Sequence, residues 1–177
     1  MQRDIRDVNE AYAFLRELGA PEKLLLPVAL VGEAAEIIIK KLKSFNLAFD
    51  ERLVRIGVAL HDTGKILHAD EFFMPGEKHE GDGETLLLSK GIDPKLARIC
   101  KSHGQWEQME CSVEELLVAL VDKLWKGKRE EGLESKIIER LAKQLNLNQW
   151  DLYIELDSCF EDIAVKGNER LTRSKDS

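Results

Sequence analysis

No apolar run in this sequence approaches 18 residues, the length needed to cross a bilayer, so no membrane span is expected. The opening MQRDIRDVNE is polar and carries no signal-peptide pattern, which makes the cytoplasm the expected location. Cysteine is sparse: Cys100, Cys111 and Cys159 are odd in number and lack CxxC spacing, which argues for free thiols in a reducing compartment. A thiolate nucleophile needs a lowered pKa, and nothing beside these cysteines in sequence supplies one. Positive charge is in deficit, 26 Lys and Arg against 33 Asp and Glu, for a net charge of −7. That excludes broad contact with extended nucleic acid or an anionic membrane, while a local basic patch can still hold a phosphate. Repeats, low-complexity linkers and strand-like alternation are absent. Histidine occurs only four times, and its placement is the most informative feature of the chain.

A hydrophobic share of 44% beside a charged share of 33% describes an ordered globule, and 177 residues suffice for one domain with a full core. The periodicity is helical throughout. Apolar residues at 8, 11, 12, 14, 15 and 18 line one face of a helix that Gly19 stops. Pro21 and Pro27 are each suited to a helix's first turn, which predicts a short turn at 21–26 and a long helix over 27–43. Asp50 caps a helix through ERLVRIGVALHD, broken near Gly64; residues 69–78 read as a loop. HEGDGETLLLSK comes next as a helix, then PKLARICKSH behind Asp93 as N-cap. Ser112 and Glu115 have capping-box spacing ahead of VEELLVALVDKLWK. Two more helices are expected near 131–145 and 148–165, and the tail NERLTRSKDS is expected to fray. The prediction is an all-α, single-domain helical bundle.

Polar groups interrupt these apolar helices at His61–Asp62, His79, His103 and Asp122. Asp122 follows LLVALV on a core helix, where a carboxylate is costly unless paired, hydrogen-bonded or bound to a cation. Imidazole with carboxylate suits a divalent ion of intermediate softness: manganese, iron, cobalt, nickel or zinc. Adjacent helical residues point about 100° apart, so His61 and Asp62 can share an ion only at a helix rim, with partners arriving from other helices.

With ALHDTGK, KHEGDGETLL, LARICKSH and ALVDKLWKGKR in this order, the chain resembles the HD-domain superfamily of metal-dependent phosphohydrolases over roughly residues 21–130. The resemblance implies a helical bundle holding one or two divalent ions against a phosphate ester. It assigns His61, Asp62 and Asp122 as primary ligands, and His79 and His103 as ligands of a second ion bridged by Asp62. A nucleotide or dinucleotide is the substrate it suggests. One departure stands out: Pro27 occupies the place of a family histidine in PVALVGEAA. One ligand of the first ion is therefore missing, and Glu33 and Glu36 on the same helix are candidate substitutes.

Lys65, one turn after His61, is a candidate catalytic contact to phosphate alongside Asp62. Lys123, Lys126 and Arg129 near Asp122, with Arg98 and Lys101 before His103, are candidate phosphate binders, although charge complementing a helix C-terminus is the stronger account of the first group. Lys128 belongs to the same basic stretch. Trp106 and Trp125 are suited to stacking on a base or to packing in the core. His68 matches no family ligand and is placed at the surface or behind the site. The expected function is hydrolysis of a small phosphorylated substrate; the rival is a degenerate HD domain that binds metal, nucleotide or a partner protein without turnover. Which ester is cut, how many ions bind and the oligomeric state are left open.

Overall fold

The computed structural model describes residues 1–175. The N-terminal helices are α1 (Val8–Glu17), α2 (Glu22–Ser44) and α3 (Glu51–Leu60). Two 3₁₀ turns, Thr63–Ile66 and Ala69–Phe72, lead to α4 (Lys78–Ser89). Then come α5 (Pro94–Ala97), α6 (Ile99–Gln105), α7 (Val113–Leu124), α8 (Glu131–Leu145), α9 (Gln149–Ala164) and α10 (Gly167–Arg173). Among the described residues the only β feature is an isolated bridge between Arg3 and Ile92, and no helix is long and apolar enough to cross a membrane. The fold is an all-α single-domain bundle.

Local chemistry sets most helix starts. Asp7, Asp50, Asp93 and Asn148 each cap a helix by accepting a backbone N–H, and Ser112 with Glu115 forms the reciprocal capping box at α7. Each such cap contributes on the order of 1 kcal/mol. The rest is burial. Helix α7 is apolar nearly all round, with Leu116, Val118, Ala119, Leu120 and Leu124 fully enclosed, and it runs through the middle of the bundle. The long α2 packs on it through Val31, Ala35, Ile38 and Leu42.

Two expectations are corrected. The long helix does not start at Pro27 but at Glu22, with Pro21 as its N-cap and Pro27 inside it. A proline there removes one helical hydrogen bond, and the burial of Leu24, Leu25 and Val28 on either side holds the helix across the gap. The tail is not frayed through residue 173. Arg170 is buried, donating from Nη1 to the carbonyls of Ile163 (2.7 Å) and Trp125 (3.4 Å), and Arg173 makes a two-pronged bond to Glu33. Of the expected frayed tail, residues 176–177 lie outside the described residues. A smaller difference concerns PKLARICKSH, divided at Arg98 into α5 and α6 although Arg98 keeps helical dihedrals.

Candidate metal centre

Four segments bring the site together. His61 follows α3, Asp62 opens the first 3₁₀ turn, His79 stands in the first turn of α4, His103 lies on α6 and Asp122 on α7. Their approach depends on a missing side chain. A Cβ at Gly64 would lie 1.9 Å from the His79 carbonyl oxygen and 2.8 Å from the Gly83 nitrogen. Glycine at 64 therefore lets the turn carrying Asp62 press directly on the backbone of α4.

The three histidines are oriented alike. His61 Nδ1 lies 2.6 Å from the Val58 carbonyl oxygen and His103 Nδ1 lies 3.2 Å from that of Ile99. His79 Nδ1 bonds the Glu71 carboxylate. Each Nδ1 is thus a donor to an outward acceptor, leaving Nε2 free to accept or coordinate. All three Nε2 atoms converge on two carboxylates. His61 Nε2 is 3.2 Å from Asp122 Oδ1 and 3.6 Å from Asp62 Oδ2; His79 and His103 Nε2 are 3.3 and 3.5 Å from Asp62 Oδ1.

These separations fit a shared ion. Two donors each about 2.1 Å from one metal lie roughly 3.0–3.4 Å apart in octahedral or tetrahedral arrangements. One donor atom each from His61, His103 and Asp122 fall within 4.8 Å of one another, as do those from Asp62, His79 and His103. His103 enters both triplets, whereas the resemblance assigned it to the second ion only. A single imidazole lone pair cannot serve two ions, but the two oxygens of Asp62 can, since Oδ1 faces His79 and His103 while Oδ2 faces His61.

The cluster is electrostatically tense without a cation. Burial opposes the charged form of His61, yet Asp62 and Asp122 outweigh it and lift its pKa to about 9. Burial and the neighbouring charge of His61 push His103 down to about 4. Burial works against ionisation of Asp62 and Asp122 too, but the adjacent His61 holds both below the usual carboxylate range.

Around the centre opens a cleft of about 470 Å³, within the range of small-ligand sites. Lys65, Lys123, Lys126 and Lys128 line it. Lys65 Nζ is 2.9 Å from Asp62 Oδ2; the other three have no ion-pair partner among the described residues. The remaining basic candidates stand elsewhere. Arg98 is engaged by Glu115 (2.7 Å) and the Glu110 carbonyl, Arg129 by Glu134, Asp157 and Glu161, and Lys101 does not reach the cleft lining. The Arg98 and Arg129 guanidinium groups are thus directed at these acceptors, and neither residue lines the cleft. Glu33 and Glu36, the candidate substitute ligands on α2, are paired with Arg173 and Arg55. His68 pairs with Asp82 at the surface. Trp125 is buried in the core, Trp106 packs at the edge of that core, and neither lines the cleft.

Two contributors were not singled out from sequence. Glu71, in the loop before α4, is buried and accepts from the backbone nitrogens of Lys78 and His79 as well as from His79 Nδ1. Burial raises its pKa, and the His79 hydrogen bonds more than offset that, keeping it ionised. A buried acid seven residues before the Lys78–His79 pair has no sequence signature. Glu80 lines the cleft beside His79, hydrogen-bonded by Gln105 at 2.9 Å, in space that Gly104 leaves open. A larger hollow of about 600 Å³ lies between α2 and α9, lined by Ile37, Lys40, Ile154 and Asp162 among others, and no metal-binding donor set among the described residues falls there.

No curated protein and no solved structure matches the chain. A model of the HD domain, by contrast, matches residues 27–127, a span that holds every one of the converging His and Asp residues. The chain belongs to the HD-domain family, within the superfamily of metal-dependent phosphohydrolases.

Proposed function

We propose that this protein hydrolyses a small phosphate ester of nucleotide size, with His61, Asp62, His79, His103 and Asp122 holding one or two divalent transition ions. The observation that carries the reading is the common orientation of the three imidazoles, each anchored through Nδ1 with Nε2 aimed at Asp62 and Asp122 beside a lysine-lined cleft. Mixed nitrogen and oxygen donors favour manganese, iron, cobalt, nickel or zinc over magnesium. When bound, such an ion polarises a phosphoryl oxygen and lowers the pKa of water to near neutrality. The chain's own residues do the rest. Glu71 fixes the ring of His79, and the Val58 and Ile99 carbonyls fix the other two. Lys123, Lys126 and Lys128 neutralise the phosphate charge, and Lys65 is placed to exchange its bond to Asp62 for one to the substrate.

The degenerate-binder reading has one supporting observation: Pro27 supplies no donor, and Glu33 and Glu36 on α2 are paired with arginines. Metal analysis, paired with assays across phosphomonoesters and dinucleotides, separates the two. The expected outcome is turnover stimulated by Mn²⁺ or a related ion and lost at least about a hundredfold, with the metal, in Asp62→Ala. A wild type that binds metal but cleaves no ester under any of these ions would establish the binder instead.

A further inference from the structure

The cleft is lined by two chemically unlike segments. The end of α7 and the turn after it supply Lys123, Lys126 and Lys128, while the loop before α4 supplies Phe72, Phe73, Met74 and Pro75. Phe73 and Met74 are 73% and 60% exposed, so they stand at the mouth of the cleft rather than on its floor. Neighbouring large apolar side chains left this open, beside a polar site, mark a binding surface more often than chance.

Their outward position is imposed by the loop. The chain wraps the buried Glu71 carboxylate so closely that a Cβ at Gly76 would lie 2.6 Å from it. Glu71 in turn bonds the start of α4. Residues 73–75, between Glu71 and Gly76, are exposed on the outside of that wrap. Phe73 is also steadied on one face: Lys23 Nζ lies over the ring, 4.4 Å from its centroid, a cation–π distance. The ring separates the metal cleft from an adjoining hollow of about 460 Å³ lined by Pro21, Lys23, Ala69 and Phe72.

We infer that Phe73, with Met74, is a platform for a flat aromatic group carried by the phosphate ester, so that the lysines hold the phosphate while Phe73 selects what it is attached to. This rests on reading the cleft as a phosphate-ester site. Stacking of a base on an aromatic side chain is sequence-tolerant and is lost on truncation to alanine, with an expected change of roughly 5- to 100-fold in affinity. Lysine contacts to phosphate are unaffected by that truncation.

The test is equilibrium binding to the Mn²⁺-loaded full chain, with adenosine monophosphate and inorganic phosphate as probes, in wild type, Phe73→Ala and Phe73→Trp. Phe73 is exposed, so neither variant threatens the fold. Adenosine monophosphate should bind about tenfold or more tightly than phosphate, lose that margin in Phe73→Ala and regain it in Phe73→Trp, with phosphate affinity equal in all three. Equal wild-type affinities for the two probes, or an unchanged margin in Phe73→Ala, overturn the platform. Because binding is read without turnover, a protein that shows this pattern yet cleaves no ester would refute hydrolysis and keep the platform. Ester cleavage with no effect of Phe73→Ala on nucleotide affinity would do the reverse.

Discussion

Asp122 and Arg129 stand seven residues apart, and each gathers opposite charge around it, yet the two clusters are built differently. The Arg129 guanidinium donates to Glu134 at 2.7 Å, Asp157 at 2.6 Å and Glu161 at 2.7 Å. Its donors meet acceptors in every direction, and it ties α8 to α9. Around Asp122 and Asp62, imidazole Nε2 atoms point at carboxylate oxygens, and each contact needs a proton or a cation between the two atoms. One cluster is saturated and structural. The other has donor atoms that could hold a metal ion. Net charge does not distinguish them; the direction of donors and acceptors does.

The largest effect that probes this contrast is the pH dependence of metal binding. With its pKa at about 9 in the metal-free protein, His61 is protonated at neutrality, so an ion must displace that proton to use Nε2. Metal affinity should rise about tenfold per pH unit up to about pH 9, with proton release detectable by calorimetry in buffers of different ionisation enthalpy. The sign for stability is opposite. A pKa raised from 6.5 to about 9 contributes stability that is complete below 6.5 and is lost as pH rises through 9. The melting temperature of the metal-free protein should fall over that window, and added Mn²⁺ should reverse the trend. Metal affinity that ignores pH would mean His61 is not a ligand.

An intermediate effect is expected at Pro27. Replacing an interior helical proline by alanine gains up to about 3 kcal/mol in helix propensity, so Pro27→Ala should raise the melting temperature and leave metal affinity alone. Pro27→His should give a similar thermal gain and, if this turn of α2 faces the ion, tighten metal binding about tenfold by adding a donor. Identical metal affinities in the two variants would show that this turn of α2 does not face the ion, and the open cluster would then be complete as it stands.

The smallest effect belongs to the closed cluster. Arg129 is partly exposed and screened by solvent, so Arg129→Met should cost about 1 kcal/mol or less in chemical denaturation and leave metal content unchanged. A loss of metal in that variant would show that the two clusters communicate along the chain between them.

Much of this architecture was legible in the sequence for identifiable reasons. Helical periodicity and caps such as Asp50, Asp93 and Ser112 act within a few residues, so local reading finds them. Asp122 was conspicuous because a carboxylate interrupts an apolar helix. The features that escaped reading depend on distant contacts. Arg98 and Arg129 looked like phosphate binders because they neighbour His103 and Asp122 in sequence, but their partners Glu115, Asp157 and Glu161 arrive from other segments. The tail looked solvated because its anchor is Arg170, a residue type usually found at the surface, buried here against two carbonyls. Glu71 was hidden for the converse reason: an acid in a polar loop reads as exposed until the loop closes around it.

The contact at Gly64 gives the metal centre a built-in spacer of zero thickness. Because the turn bearing Asp62 touches the backbone of α4 with no side chain between them, the separation of the two backbones that carry Asp62 and His79 is set by main-chain contact. Main chain packed against main chain has no rotamers to shift, so the two backbones form a rigid jaw, and what remains adjustable is the pair of side chains, held by Glu71 on one side and Lys65 on the other.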